Sequence, residues 1–130
     1  MIYKRKIFGY ECDIYGHLNN SGYLRLYEEG RSVAIENTKY SIELLKEMDI
    51  ALVIIRADIQ FIKEIPLEKN IIVKTNLVSM NRVRFEWHQE IHNENGDICS
   101  SVEISGAFAR SGKPIRINQE IVSDYLNKLI

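Results

Sequence analysis

Apolar residues recur along this chain with two periods, and the switch between them separates a helical front from a stranded back. From Ser21 to Asn37, the residues Tyr23, Leu26, Tyr27, Gly30, Val33 and Ala34 fall at i, i+3, i+4 and i+7. That spacing gathers them into one stripe of a helix, with Arg25, Glu29, Ser32 and Glu36 opposite. Asn20 or Ser21 is placed to cap the helix, and Asn37-Thr38 ends it. A shorter helix is predicted over 41–48, with Ser41 as its cap. Ahead of both, residues 3–10 read as a first strand. The period then becomes two. In 51–63 the odd positions Ala51, Val53, Ile55, Ala57, Ile59 and Phe61 are apolar against Arg56, Asp58 and Gln60. Leu52 and Ile54, however, make the start of that run apolar on both faces. A noisier strand is predicted over 71–78. In 82–92, Val83, Phe85, Trp87 and Ile91 face one way, and Arg82, Arg84, Glu86, His88, Glu90 and His92 the other. Asn95-Gly96 is a hairpin signal, and 97–109 returns with Ile98, Val102, Ile104 and Phe108 on one face. Ser111-Gly112-Lys113-Pro114 breaks it. A closing helix over 119–129 runs through Ile121, Val122, Tyr125, Leu126 and Leu129.

The order strand, long helix, short helix, four antiparallel strands, helix defines an α+β class. One apolar face of the sheet must be covered, and the long helix is the element with a stripe of matching length. The predicted solution is an antiparallel sheet curled around one central helix. A free edge strand and a part-apolar outer face both favour self-association, so a homodimer is the expected minimum unit. A length of 130 residues sets the expectation of one domain spanning 1–130. A net charge of −1 argues against a nucleic-acid or membrane-surface partner. No apolar run approaches the ~20 residues that cross a bilayer, and Met1–Tyr10 has no secretory apolar core. Two cysteines, Cys12 and Cys99, make no disulfide framework and read as reduced thiols of a cytoplasmic protein.

The chemistry concentrates ahead of the long helix. The stretch from Asp13 through Gly16-His17-Leu18-Asn19-Asn20 packs a carboxylate, an imidazole and two amides into eight residues. Such a loop is poor core material, because each polar side chain needs a partner. It is good material for a site in which an acid lies near the positive end of a helix dipole. Asp13 also suits a plain Asx-turn or cap, and Asn19 and Asn20 suit capping and loop-tying. Elsewhere the patterns fail. His88 and His92 share a face but stand ~13 Å apart by strand rise, too far for a shared zinc, so no metal and no cofactor is expected. There is no Gly-x-Ser-x-Gly elbow, phosphate loop or dinucleotide fingerprint.

The pattern D-x-x-x-H-x-N-N-x-x-Y-L-x-x-x-E-E-x-R, carried here by Asp13, His17, Asn19, Asn20, Tyr23, Leu24, Glu28, Glu29 and Arg31, resembles the hot-dog-fold acyl thioesterases. The likeness is to the 4-hydroxybenzoyl-CoA thioesterase-like group and covers nearly the whole chain. It is closest to bacterial long-chain acyl-CoA thioesterases and, in His-x-Asn-Asn, to plant acyl-carrier-protein thioesterases. The resemblance implies an acyl-CoA thioester as substrate and a homodimer or homotetramer as the working unit. A carboxylate can attack a thioester carbonyl or deprotonate the water that does. Asp13 is thereby the expected nucleophile or general base, with His17 and Asn20 beside it, and N–H groups from Asn20 to Gly22 polarising the carbonyl. The plant enzymes carry an Asn credited with catalysis where this chain has Tyr15, a departure that leaves Asp13 with the best claim. Gly22, Tyr23 and Tyr27 are expected along the acyl slot, and Arg82 and Arg84, with Lys113 and Arg116, as contacts for the CoA phosphates. Glu28 or Glu29 is expected to reach the site or to pair with Arg25 or Arg31. The alternatives are an acyl-carrier-protein thioesterase and a non-catalytic acyl-thioester binding protein.

Overall fold

In the computed structural model, which describes residues 1–130, the alternating runs assemble into one sheet and the amphipathic stripe lies against it. The strands are β1 (Ile2–Lys6), β2 (Ala51–Phe61), β3 (Asn70–Met80), β4 (Arg84–His92), β5 (Ile98–Arg110) and the short β6 (Lys113–Pro114). They pair antiparallel in the order β1-β3-β4-β5-β2, with β6 folded back on β5. The helices are α1 (Tyr23–Ile35), α2 (Ile42–Glu47) and α3 (Gln119–Leu129). Both α1 and α3 pack on β3 and touch each other. Tyr23, Leu26, Tyr27, Gly30, Ala34 and Ile35 of α1 are buried, and all but Gly30 share one core with Trp87, Phe85, Ile91, Val102 and Ile104 of the sheet. The expected α+β architecture is the one observed, and no helix is long and apolar enough to cross a membrane.

Two strands depart from the simple pattern, for local reasons. The first ends at Lys6 rather than residue 10, because Gly9–Glu11 forms a 3-10 turn whose Glu11 carboxylate accepts the Phe8 N–H at 3.0 Å. In β2 the register slips between Ile54 and Arg56. Before the slip Leu52 and Ile54 oppose Phe108 and Gly106; after it Ala57, Ile59 and Phe61 oppose Ile104, Val102 and Ser100. Opposed residues of an antiparallel pair share a face, so the inward set is even-numbered before the bulge and odd-numbered after it. The odd-numbered face expected throughout 51–63 therefore splits, and Ala51 and Val53 turn outward. β2 is also an edge strand, which leaves Val53, Ile54 and Ile55 exposed.

A buried amide locks helix to sheet. Gln89 lies between Trp87 and Ile91 on β4 and is 0% exposed. Its Nε2 donates to the Tyr27 carbonyl at 2.9 Å and to Thr75 Oγ1 at 2.8 Å, and its Oε1 accepts from Arg31 Nη1 at 2.9 Å. One turn of α1 is thus pinned to two strands. Close approach depends on Gly30: a Cβ there would lie 2.8 Å from Val73 Cγ1 and 2.9 Å from Thr75 Oγ1. The other tie runs from β1, where Arg5 pairs with Glu11 and with Glu29 (3.1 Å), and Tyr3 donates to Glu29 at 2.7 Å. Burial first, then the Glu29 carboxylate, pushes the Tyr3 hydroxyl up to about 12. Glu29 is therefore bound to β1, and neither pairs with Arg25 or Arg31 nor lines the polar loop.

The outward face of β4 carries a chain of ion pairs. His88 meets Glu103 at 2.5 Å through Nδ1 and Glu90 at 3.1 Å through Nε2, while Glu90 also meets His92 Nε2 at 2.8 Å. His92, expected on the wet face, is nearly buried at the strand end beside Gly96 O. Both ring nitrogens of His88 face carboxylates, an arrangement only the imidazolium satisfies twice. Burial works against that charge, but Glu90 and Glu103 outweigh it and hold His88 above its ordinary 6.5. A folded value above the unfolded one means the contribution is complete below pH 6.5 and is lost as pH rises through the raised value. The gap in melting temperature between wild type and His88→Gln should accordingly narrow from about pH 6 to about pH 9. A gap that widens over that range contradicts the pairing.

Candidate active site

The segment between the first 3-10 turn and α1 owes its shape to backbone bonds that its sequence permits. The Asp13 N–H donates to the His17 carbonyl at 2.8 Å, and the Gly16 N–H to the Asp13 carbonyl at 3.1 Å. Gly16 closes this turn at φ +77°, where a side chain would be strained. Asp13 Oδ1 accepts from the N–H groups of Tyr15 (2.9 Å) and His17 (3.3 Å). The turn then docks on the loop after β2: Leu18 N–H donates to Ile65 O at 2.7 Å and Leu67 N–H to Gly16 O at 3.0 Å. Asp13 is thus an Asx-turn residue, and its second oxygen, Oδ2, has no protein partner.

The cap is Asn19, not Asn20 or Ser21. Its Oδ1 accepts from both N and Oγ of Ser21 at 3.0 Å, and its carbonyl from Gly22 N at 2.8 Å. A 3-10 turn over Asn20–Gly22 follows, and the α-helix proper begins at Tyr23. The reason is geometric: the loop reaches the helix one residue early and enters it through the tighter turn. Ser21 and Gly22 have spent their N–H groups on Asn19, so of the three amides expected to polarise a carbonyl, Asn20's is the one left over. Gly22 itself is buried, and a Cβ on it would lie 3.0 Å from Leu18 Cδ1.

Around this turn opens a cleft of about 500 Å³. Asp13, His17, Asn20 and Tyr23 line it together with Tyr15 and Leu18, and the far wall is Phe61, Ile62, Lys63 and Glu64. His17 Nε2 lies 3.3 Å from Glu64 Oε2, and Lys63 Nζ is held by Asp97 at 2.7 Å. The Tyr23 ring meets Phe61 edge-on, centroids 4.9 Å apart. Burial first, then Cys99 and the Glu64 and Asp13 carboxylates, push the Tyr23 hydroxyl up to about 12.

Three expected contacts lie elsewhere. Tyr27 is sealed in the core, where its hydroxyl donates to Ser100 Oγ at 2.6 Å, so it does not line the cleft. It follows Tyr23 by four residues on the same stripe, but points one turn deeper under the sheet. Arg82 and Arg84 border a separate groove of about 550 Å³ with Asn81, Val83, Arg116 and Gln119, and Arg82 Nε is committed to Ile117 O at 2.7 Å. Cys12 and Cys99 are free thiols. Of the far wall, periodicity leaves Phe61 open between pocket and core and gives no sign of Ile62, Lys63 or Glu64. The apolar pair Phe61-Ile62 running into Lys63-Glu64 looks like an ordinary strand end, and only the docking of the turn on Ile65 and Leu67 brings it to Asp13.

An antiparallel sheet laid over one long helix, with a polar turn at the helix entry, is the hot-dog fold. A model of the thioesterase-like superfamily matches residues 9–124, and the chain belongs to that family. It is 30% identical over 76 residues to the long-chain acyl-CoA thioesterase FadM of Escherichia coli (strain K12), a match spanning 58% of this chain and 57% of that one. The fold superposes on DHNA-CoA thioesterase from Staphylococcus aureus with a TM-score of 0.88 at 21% identity, covering 98% of this chain and 86% of the other. A second Staphylococcus aureus protein, solved in complex with CoA, gives 0.89 at 10% identity over 98% of this chain and 82% of its own.

Proposed function

We propose that this protein hydrolyses an acyl-CoA thioester to the free acid and CoA, with Asp13 as the reactive carboxylate. The observation that carries this reading is Asp13 itself. Two backbone N–H groups fix Oδ1, Oδ2 has no protein partner, and the residue lines a cleft that it shares with Leu18, Tyr23, Phe61 and Ile62. As general base, Oδ2 takes a proton from water as the water oxygen bonds the carbonyl carbon. The resulting oxyanion accepts from the Asn20 N–H. It collapses with cleavage of the C–S bond, and the departing thiolate takes the proton back from Asp13. As nucleophile, Oδ2 bonds the carbonyl carbon directly, expels the thiolate and leaves an anhydride that water then cleaves. His17 stands beside the reacting centre, held by Glu64.

The superfamily membership and the FadM match support the reaction class, and the CoA complex of a structural neighbour supports CoA as the carrier. The groove of Arg82, Arg84 and Arg116 supplies the positive surface that CoA phosphates require. The unpaired edge of β2, with Val53, Ile54 and Ile55 exposed, suits pairing with a second copy, and a dimer or tetramer is the proposed working unit. Free-thiol release from short aliphatic, long aliphatic and aromatic acyl-CoAs tests the reading. Turnover of at least one is expected. Saturable binding of every ester with no thiol released would favour an acyl-thioester binding protein instead.

A further inference from the structure

Of the well-buried tyrosines, one has a hydroxyl with nothing to bond. Tyr27 donates to Ser100 Oγ at 2.6 Å and Tyr125 to the Tyr40 carbonyl at 2.6 Å. The half-buried Tyr3 likewise reaches Glu29. Tyr23 is only 4% exposed, yet its hydroxyl has no partner in the protein. No fully buried side-chain oxygen or nitrogen lacks a partner, so the Tyr23 oxygen must still be reached from the cleft it lines. A buried tyrosine hydroxyl normally finds an acceptor, and leaving one unmet is costly.

We infer that the Tyr23 hydroxyl is a catalytic hydrogen-bond donor to the carbonyl oxygen of the bound thioester, acting beside the Asn20 N–H. This rests on the acyl-CoA hydrolysis proposed above. The ring is almost wholly buried and meets Phe61 edge-on, so packing restricts it before substrate arrives. Burial and the nearby Cys99, Glu64 and Asp13 keep it an O–H donor rather than a phenolate at neutral pH. An occupant of the cleft displaces solvent from that oxygen and must supply an acceptor. Asp13 and Asn20, the groups that would handle the carbonyl, line the same cleft as Tyr23.

The test compares wild type, Tyr23→Phe, Tyr27→Phe and Asp13→Asn on the best unsubstituted acyl-CoA and on its 3-hydroxy counterpart. Tyr23→Phe should lose about 10²-fold in kcat on both esters, with KM nearly unchanged. Its melting temperature should not fall, since no intramolecular bond is lost, whereas that of Tyr27→Phe should. A kcat loss confined to the hydroxylated ester would assign Tyr23 to a substituent of the acyl group and overturn the inference. Unchanged kcat on both esters, or a melting temperature lowered as in Tyr27→Phe, would overturn it too. If Asp13→Asn is inactive while Tyr23→Phe is not, only the role of Tyr23 fails. If the wild type releases no thiol from either ester, the hydrolase reading fails and this inference falls with it.

Discussion

Gly106→Ala is expected to cost this fold about 3 kcal/mol or more. Gly106 sits on β5 opposite Phe85 of β4 and Ile54 of β2. A Cβ there would lie 2.5 Å from the Val53 carbonyl oxygen and 2.6 Å from Phe85 Cε2. The phenyl ring is not free to move alone, because it packs against Phe108, 5.3 Å away between centroids. The carbonyl belongs to β2 at the approach to its bulge, and moving it would disturb the β2–β5 register. Against a typical total of about 5–15 kcal/mol, a drop of this size lowers the melting temperature by roughly 10 °C or more. Thermal melts of the purified variant check this. Gly106→Ala melting within a degree or two of wild type would mean that the strand pairing described here is wrong.

The same residues show where sequence periodicity is a sufficient guide and where it fails. The stripe of α1 and the alternation of β4 were legible because each element buries one face, and a period of 3.6 or 2 follows directly. The bulge in β2 was not, since one inserted residue reverses the phase and leaves only a run apolar on both faces as its trace. Gln89 was hidden for a different reason: its partners come from α1 and β3, and a polar residue in an apolar alternation reads as noise until those partners are known. At the site, the turn from Asp13 to Asn20 was legible as concentrated polar chemistry at a helix entry. Its far wall was not, because Phe61–Glu64 is brought there by the tertiary hydrogen bonds from Leu18 to Ile65 and from Leu67 to Gly16, between segments far apart in sequence. Tyr23 and Tyr27 share a helical stripe, and depth alone separates a cleft residue from a core residue.

Asp13→Asn should abolish most turnover while leaving the fold intact, and the geometry explains both halves. The asparagine Oδ1 can still accept from the N–H groups of Tyr15 and His17, so the Asx-turn survives and stability should change by no more than about 0.5 kcal/mol. What is lost is the charged, unpartnered Oδ2: an amide neither takes a proton from water nor attacks a carbonyl. Losses for removing a general base run to about 10²–10⁴-fold, and a variant that also lacks the nucleophile belongs at the upper end. Asp13→Ala would confound the two effects, because it removes the acceptor that shapes the turn as well as the carboxylate.

The decisive measurement is thiol release by wild type and Asp13→Asn side by side on the same acyl-CoA, with a thermal melt of each preparation. A fall of about 10³-fold or more in kcat at an unchanged melting temperature is the predicted result. Release by Asp13→Asn within about tenfold of wild type would contradict Asp13 as the reactive carboxylate.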